Sequence, residues 1–296
     1  MKCWTGVLLM AVFFTGCEKD INLNINNQQP LLVVDGYIEN GKAPVIVLSS
    51  SLNYFSSISP AELTAAFVHN AVVTISDGSK TIRLNEYSQR DSAGYSLYYY
   101  TAAESNHDSI LRGALNRQYK LSVTTAEGKN YTSSTTIPAI AKTVDSLWWK
   151  TAPDNPDTTR CVLFGRFTDP KGLGNYIRYF TQVNDQPFLS GLNSVFDDQF
   201  TDGTTYDLSF DVGYDRNAIV QNRDDYGFAH RGDRITLKFC NIDKATFDFW
   251  RTWEFSYQSL NNPFSSPVKV IGNISNGALG AFSGYAAEYK TLVIPK

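Results

Sequence analysis

A short alternating run, Ala71-Val72-Val73-Thr74-Ile75, enters the turn Asp77-Gly78-Ser79 and returns through Thr81-Ile82-Arg83-Leu84. Two alternating runs joined by Asp-Gly form a hairpin, because one face must be buried and the turn needs a residue that tolerates positive φ. The same cadence recurs around it. Leu31 to Ile38 and Pro44 to Ser50 read as opening strands, and Tyr95 to Tyr100 as another. Tyr119, Leu121 and Val123 alternate with polar residues up to Glu127-Gly128-Lys129, and Tyr131 to Ile137 runs back. About seven short strands between residues 30 and 138 predict an immunoglobulin-like β-sandwich. One helical turn interrupts them, with Ser59 as N-cap, Pro60 first and Glu62 third.

Residues 138–143 read as a link between domains, and residues 139–296 as a second, β-rich domain. Its strand signals are Val144 to Lys150, Cys161 to Phe167, Tyr176 to Val183, Leu208 with Phe210, Ile235 to Phe239 and a terminal Tyr289 to Ile294. Phe247, Trp250, Trp253, Tyr257 and Leu260 recur at helical spacing, which predicts one amphipathic helix near 243–260, its aromatic face packed on a sheet. The Pro- and Gly-rich stretch 262–284 reads as an irregular tail. The fold expected is mainly β throughout.

The N-terminus carries a different signal. Lys2 precedes the apolar stretch Val7 to Phe14, and Phe14-Thr15-Gly16-Cys17 closes it. The stretch is shorter than the roughly 20 residues that span a bilayer. Small residues before a cysteine are what a lipoprotein peptidase accepts, so residues 1–16 read as a lipoprotein signal peptide and Cys17 as the lipidated residue. A linker, 17–29, follows: Glu18-Lys19-Asp20, then a polar stretch rich in Asn and Gln that cannot bury a core. The expectation is a lipid-anchored protein of the outer membrane, at the cell surface rather than the periplasmic face.

Net charge is −3 and the basic residues are dispersed, which excludes a nucleic-acid binder. Cys3 leaves with the signal. Cys161 and Cys240 could pair in an oxidising compartment or stay as two buried thiols. Metal binding by that pair alone is not expected, since no histidine lies near either in sequence.

No catalytic constellation is read. There is no Gly-x-Ser-x-Gly elbow, zinc helix, phosphate loop or dinucleotide fingerprint, so no cofactor is expected. The three histidines are His69, His107 and His230. Asp198 to Gly203 fails as a calcium loop because Phe200 stands where an oxygen ligand is needed. Asp224 and Asp225 beside His230 form an acidic cluster, and Arg231-Gly232-Asp233 reads as a turn before a strand. Tyr98 and Tyr100, with Trp148 and Trp149, are candidates for an interaction surface, such residues being common at interfaces.

Several ordered pieces carry a family resemblance. They are Phe14 to Ile21, Leu31 to Ser51, Ala71 to Gly78, Arg117 to Pro138, Val144 to Leu147, Arg231 to Trp250 and Asn262 to Tyr285. Together they resemble the Bacteroidota lipoproteins of domain-of-unknown-function family 4249 across nearly the whole chain. The tail residues Asn262, Pro263, Phe264, Asn273, Gly277, Gly280 and Phe282 match that pattern. The resemblance implies an accessory subunit, or substrate-capturing partner, of a TonB-dependent outer-membrane transporter. No catalytic residues come with it. A surface hydrolase acting on glycans or peptides and an adhesin or structural envelope component are the alternatives; the ligand, whether small molecule, glycan or peptide, is not identified.

Overall fold

The computed structural model describes residues 29–52, 59–90, 96–102, 111–216, 223–260 and 268–296. The signal, Cys17, nearly all of the linker, His107, and Asn262 to Phe264 lie outside the described residues. The first segment contains β1 (Leu32–Glu39), β2 (Val45–Ser50), α1 (Pro60–Ala65), β3 (Val72–Ser76), β4 (Thr81–Arg90), β5 (Ser96–Thr101), β6 (Arg117–Thr124) and β7 (Asn130–Ile137). The second contains β8 (Thr143–Thr151), β9 (Arg160–Thr168), β10 (Tyr176–Val183), β11 (Val195–Phe196), β12 (Thr205–Phe210), β13 (Ala229–His230), β14 (Arg234–Ile242), α2 (Lys244–Gln258) and β15 (Leu279–Val293).

The β3–β4 hairpin forms where the Asp-Gly signal places it. Asp77 Oδ1 accepts from the backbone N–H groups of Ser79 and Lys80 at 2.9 and 2.8 Å, and Gly78 has φ +89°. A positive φ is strained for any residue with a Cβ, so glycine suits it. The start of α1 is also as expected. Ser59 N–H donates to Glu62 Oε2 at 2.8 Å, and Glu62 N–H donates to Ser59 Oγ at 3.2 Å.

β15 departs most from the sequence reading. Instead of a short terminal strand after an irregular tail, it runs for 15 residues. Its first half pairs in parallel with β1, from Val33 opposite Leu279 to Glu39 opposite Tyr285. Its second half pairs antiparallel with β14, from Ala286 opposite Asn241 to Val293 opposite Arg234. The glycines that suggested turns serve close backbone approach instead. A Cβ on Gly280 (φ +92°) would lie 2.0 Å from the Val34 carbonyl oxygen, and one on Gly284 would lie 2.6 Å from that of Thr136. The division into 30–138 and 139–296 is therefore crossed by this strand.

Around the first core the strand order is β15-β1-β2-β5-β4-β3-β6-β7, and the path curls over so that β7 returns against β15. Val34, Ile38, Ile46, Val73, Ile75, Tyr119 and Phe282 fill this sandwich. In the second sandwich one sheet is β11-β10-β14 plus the end of β15, and the other is β9 flanked by β8, β12 and β13. Its core holds Leu163, Phe167, Tyr179, Phe210, Leu237 and Phe239. The chain is mainly β, with α2 laid on the outer face of β10, β14 and β15.

Asp243 ties the two halves together. One carboxylate oxygen caps α2 by accepting from Thr246 N–H at 2.9 Å, and the other accepts from Thr136 N–H at 2.7 Å. The link between the segments is held by Asn241, whose Oδ1 accepts from Lys142 N–H at 2.8 Å while its Nδ2 donates to the Lys142 carbonyl at 2.9 Å.

Candidate functional site

Residues singled out in the sequence mostly have structural employment. Tyr100 is 2% exposed; its hydroxyl donates to the Val68 carbonyl at 2.9 Å and lies 3.0 Å from Glu86 Oε2, so it is core and not surface. Burial pushes that phenol up to about 12. Tyr98, two residues earlier on the same face of β5, is half-buried against Phe67 and His69. Trp148 and Trp149 point to opposite faces of β8, as period 2 requires. Trp149 packs into the second core beneath Arg231, whereas Trp148 stacks on Phe164 at 5.9 Å on the outer face. The four aromatics do not form one platform.

Cys161 and Cys240 are both free and buried, and no disulfide joins them. The reason is the sheet between them. Cys161 belongs to the core inside the second sandwich, and Cys240 to the layer beneath α2. Burial raises both thiols, Cys240 to about 12, which keeps them protonated and poor as nucleophiles or metal ligands.

The acidic groups are similarly occupied. Asp198 accepts from Gly174 and Asn175 N–H, both at 2.8 Å, and so pins the turn after β11. Asp225 pairs with Arg160 at 3.1 Å and with His230 at 2.9 Å. Asp233 accepts from His230 N–H at 2.8 Å inside its turn. Among the described residues no group of three or more His, Cys, Asp or Glu could hold a metal ion. Asn273, a tail residue, brackets β15: its Oδ1 accepts from Phe282 N–H at 2.9 Å and its Nδ2 donates to the Phe282 carbonyl at 2.8 Å.

A further feature is a cleft between the sheets of the second sandwich, with a volume of about 280 Å³. Phe167 on β9, Ile177 and Tyr179 on β10, Leu237 and Phe239 on β14, and Phe196 on β11 line it. Tyr206, Leu208 and Phe210, alternate residues of β12, close the opposite wall. The rings brace one another: Phe167 stacks on Phe239 at 5.3 Å, and Tyr179 meets Phe210 edge-on at 5.7 Å. The cleft opens toward the turn after β11, where Phe200 is 96% exposed, and Leu208 on β12 is 39% exposed.

Three polar residues, Asp197, Thr201 and Arg251, also line it. Arg251 belongs to α2, which packs against β11, and its guanidinium lies 3.8 Å from Asp197. Thr201 is spent inward, donating to Asp169 at 2.8 Å and accepting from Lys142 Nζ at 3.1 Å. Such a lining removes apolar surface from water, worth roughly 25 cal/mol per Å² buried, and it supplies one carboxylate. Period 2 along Tyr206, Leu208 and Phe210 was the available signal for this wall. That β12 faces β10 and β14 across a gap follows from topology and is not visible in the local pattern.

Fold and cleft define a mainly β protein of two sandwiches fused through one strand, with an aromatic-lined cavity in the second. The chain belongs to the family described as Domain of unknown function (DUF4249), which it matches over residues 18–291. No curated protein matches the chain.

Proposed function

We propose that this chain is an outer-membrane lipoprotein, anchored through Cys17 and facing the cell surface, that captures a small, mainly apolar ligand for a TonB-dependent transporter without transforming it. The observation that carries the capture reading is the open aromatic cleft of the second sandwich, since small-molecule sites are concave and mostly apolar with a few placed polar groups. The Phe14-Thr15-Gly16-Cys17 pattern supports the anchor, and the family resemblance supports the transporter. Among the described residues no helix is long and apolar enough to cross a membrane.

A permanent tether on a short linker would hold the body beside a membrane pore at high effective concentration, commonly in the millimolar range for such linkers. The non-enzymatic reading is supported by the lining, where among the described residues Asp197 is the one carboxylate and no histidine or cysteine is present. A hydrolase of glycans would call for two carboxylates at a set separation.

The test is crosslinking in native outer membranes followed by purification of this chain. Recovery of a TonB-dependent transporter from wild type is expected, together with its loss on Cys17→Ser. Recovery of the lipoprotein with no transporter would overturn the partnership.

A further inference from the structure

The cleft narrows the chemistry of its occupant through what its polar residues have left to offer. Thr201 already donates to Asp169 and accepts from Lys142 Nζ, so its hydroxyl is committed behind the wall. Asp197 is mostly covered, its side chain 21% exposed. Arg251 differs from both. Its side chain is 61% exposed, its nearest acid is 3.8 Å away and beyond hydrogen-bond reach, and its guanidinium lies over the Phe247 ring at 5.5 Å. Among the described residues it donates no hydrogen bond. A planar fork of five donors, held at the mouth of an apolar cavity, matches a carboxylate in bidentate geometry.

We propose that the cleft binds a small amphiphilic monoanion, an aromatic or aliphatic acid, with its apolar body among Phe167, Tyr179, Phe210 and Leu237 and its acidic group on Arg251. This rests on the cleft being the ligand site. The acid would replace Asp197 as the partner of Arg251, exchanging a loose ion pair for charge-assisted hydrogen bonds. The volume of about 280 Å³ suits one ring or a short chain and not an oligosaccharide. An aromatic lining can also hold a cation, so the sign of the preferred charge is the point at issue.

Calorimetric titration of the secreted full chain, with Cys17→Ser to remove the lipid, decides it with phenylbutyrate, phenylbutanol and phenylbutylamine as probes. Phenylbutyrate should bind roughly tenfold tighter than the alcohol, as expected for charge-assisted hydrogen bonds. Arg251→Gln should erase that advantage and leave the alcohol unchanged. Leu208→Trp, which fills the cleft, should abolish binding of every probe. Equal affinity for acid and alcohol, or tightest binding of the amine, overturns the anion assignment while the cleft stands. Failure of all three probes on wild type, or binding untouched by Leu208→Trp, overturns the capture reading itself.

Discussion

Lys142 and Asp169 form an ion pair at 2.9 Å in which both side chains are wholly buried. It sits where the link between the sandwiches meets the end of β9, and Thr201 bridges both partners from the cleft wall. Removing one partner leaves an uncompensated charge in a dry site, which costs about 3–5 kcal/mol. Lys142→Met or Asp169→Leu alone should therefore lower the urea midpoint far more than the two changes together. A double variant as unstable as the sum of the singles would contradict this account.

Gly280 is the point where β15 enters the first sandwich. Gly280→Ala forces a Cβ into the Val34 carbonyl and imposes a left-handed backbone on alanine, of order 1–3 kcal/mol for the backbone alone. Because β15 continues into the second sandwich, both halves should lose stability together. Urea unfolding followed at the first-core tyrosines and at Trp149 should stay coincident; a shift confined to one probe would show that the halves unfold independently.

Glu39 lies at the seam and is 1% exposed. Burial pushes its carboxyl up, but Lys238, Lys42 and Tyr289 more than reverse that and hold it below the usual range. A carboxyl depressed in the fold contributes stability that is complete above its unfolded pKa, about 4.3, and is lost as pH falls through the folded value. Glu39→Gln should be less stable than wild type at pH 7, and the gap should close on acidification below that value. A gap independent of pH would contradict the role.

The two free thiols make a simpler prediction. In a form carrying Cys3→Ala and Cys17→Ser, the native protein should be inert to a disulfide reagent such as DTNB, and denaturation should expose Cys161 and Cys240 together. Absence of reactive thiol after denaturation would mean a disulfide and would contradict the sheet that separates them.

Local chemistry was legible in the sequence. The Asp77-Gly78 hairpin, the Ser59–Glu62 cap and the helix behind Asp243 each depend on residues a few positions apart, and each stands where its signal placed it. Long-range facts were hidden. Gly280 and Gly284 look the same in sequence whether they make turns or admit a neighbouring backbone, so the tail concealed a 15-residue strand. Cys161 and Cys240 both sit in apolar runs, and only the topology shows a sheet between them. Tyr98 and Tyr100 show the limit in small compass: they share one face of β5, yet what packs over that face puts one in the core and leaves the other half-buried. The cleft depended on β12 lying opposite β10 and β14, a relation between segments with no local signature.

The central claim, that the second sandwich holds a small-ligand site, is tested most directly by methyl NMR on isoleucine- and leucine-labelled protein titrated with phenylbutyrate. Saturable shifts are expected for Ile177, Leu208 and Leu237, which line the cleft, with Ile75 and Leu121 in the first core unmoved. Shifts absent from the three cleft residues, or spread equally over both cores, would contradict it.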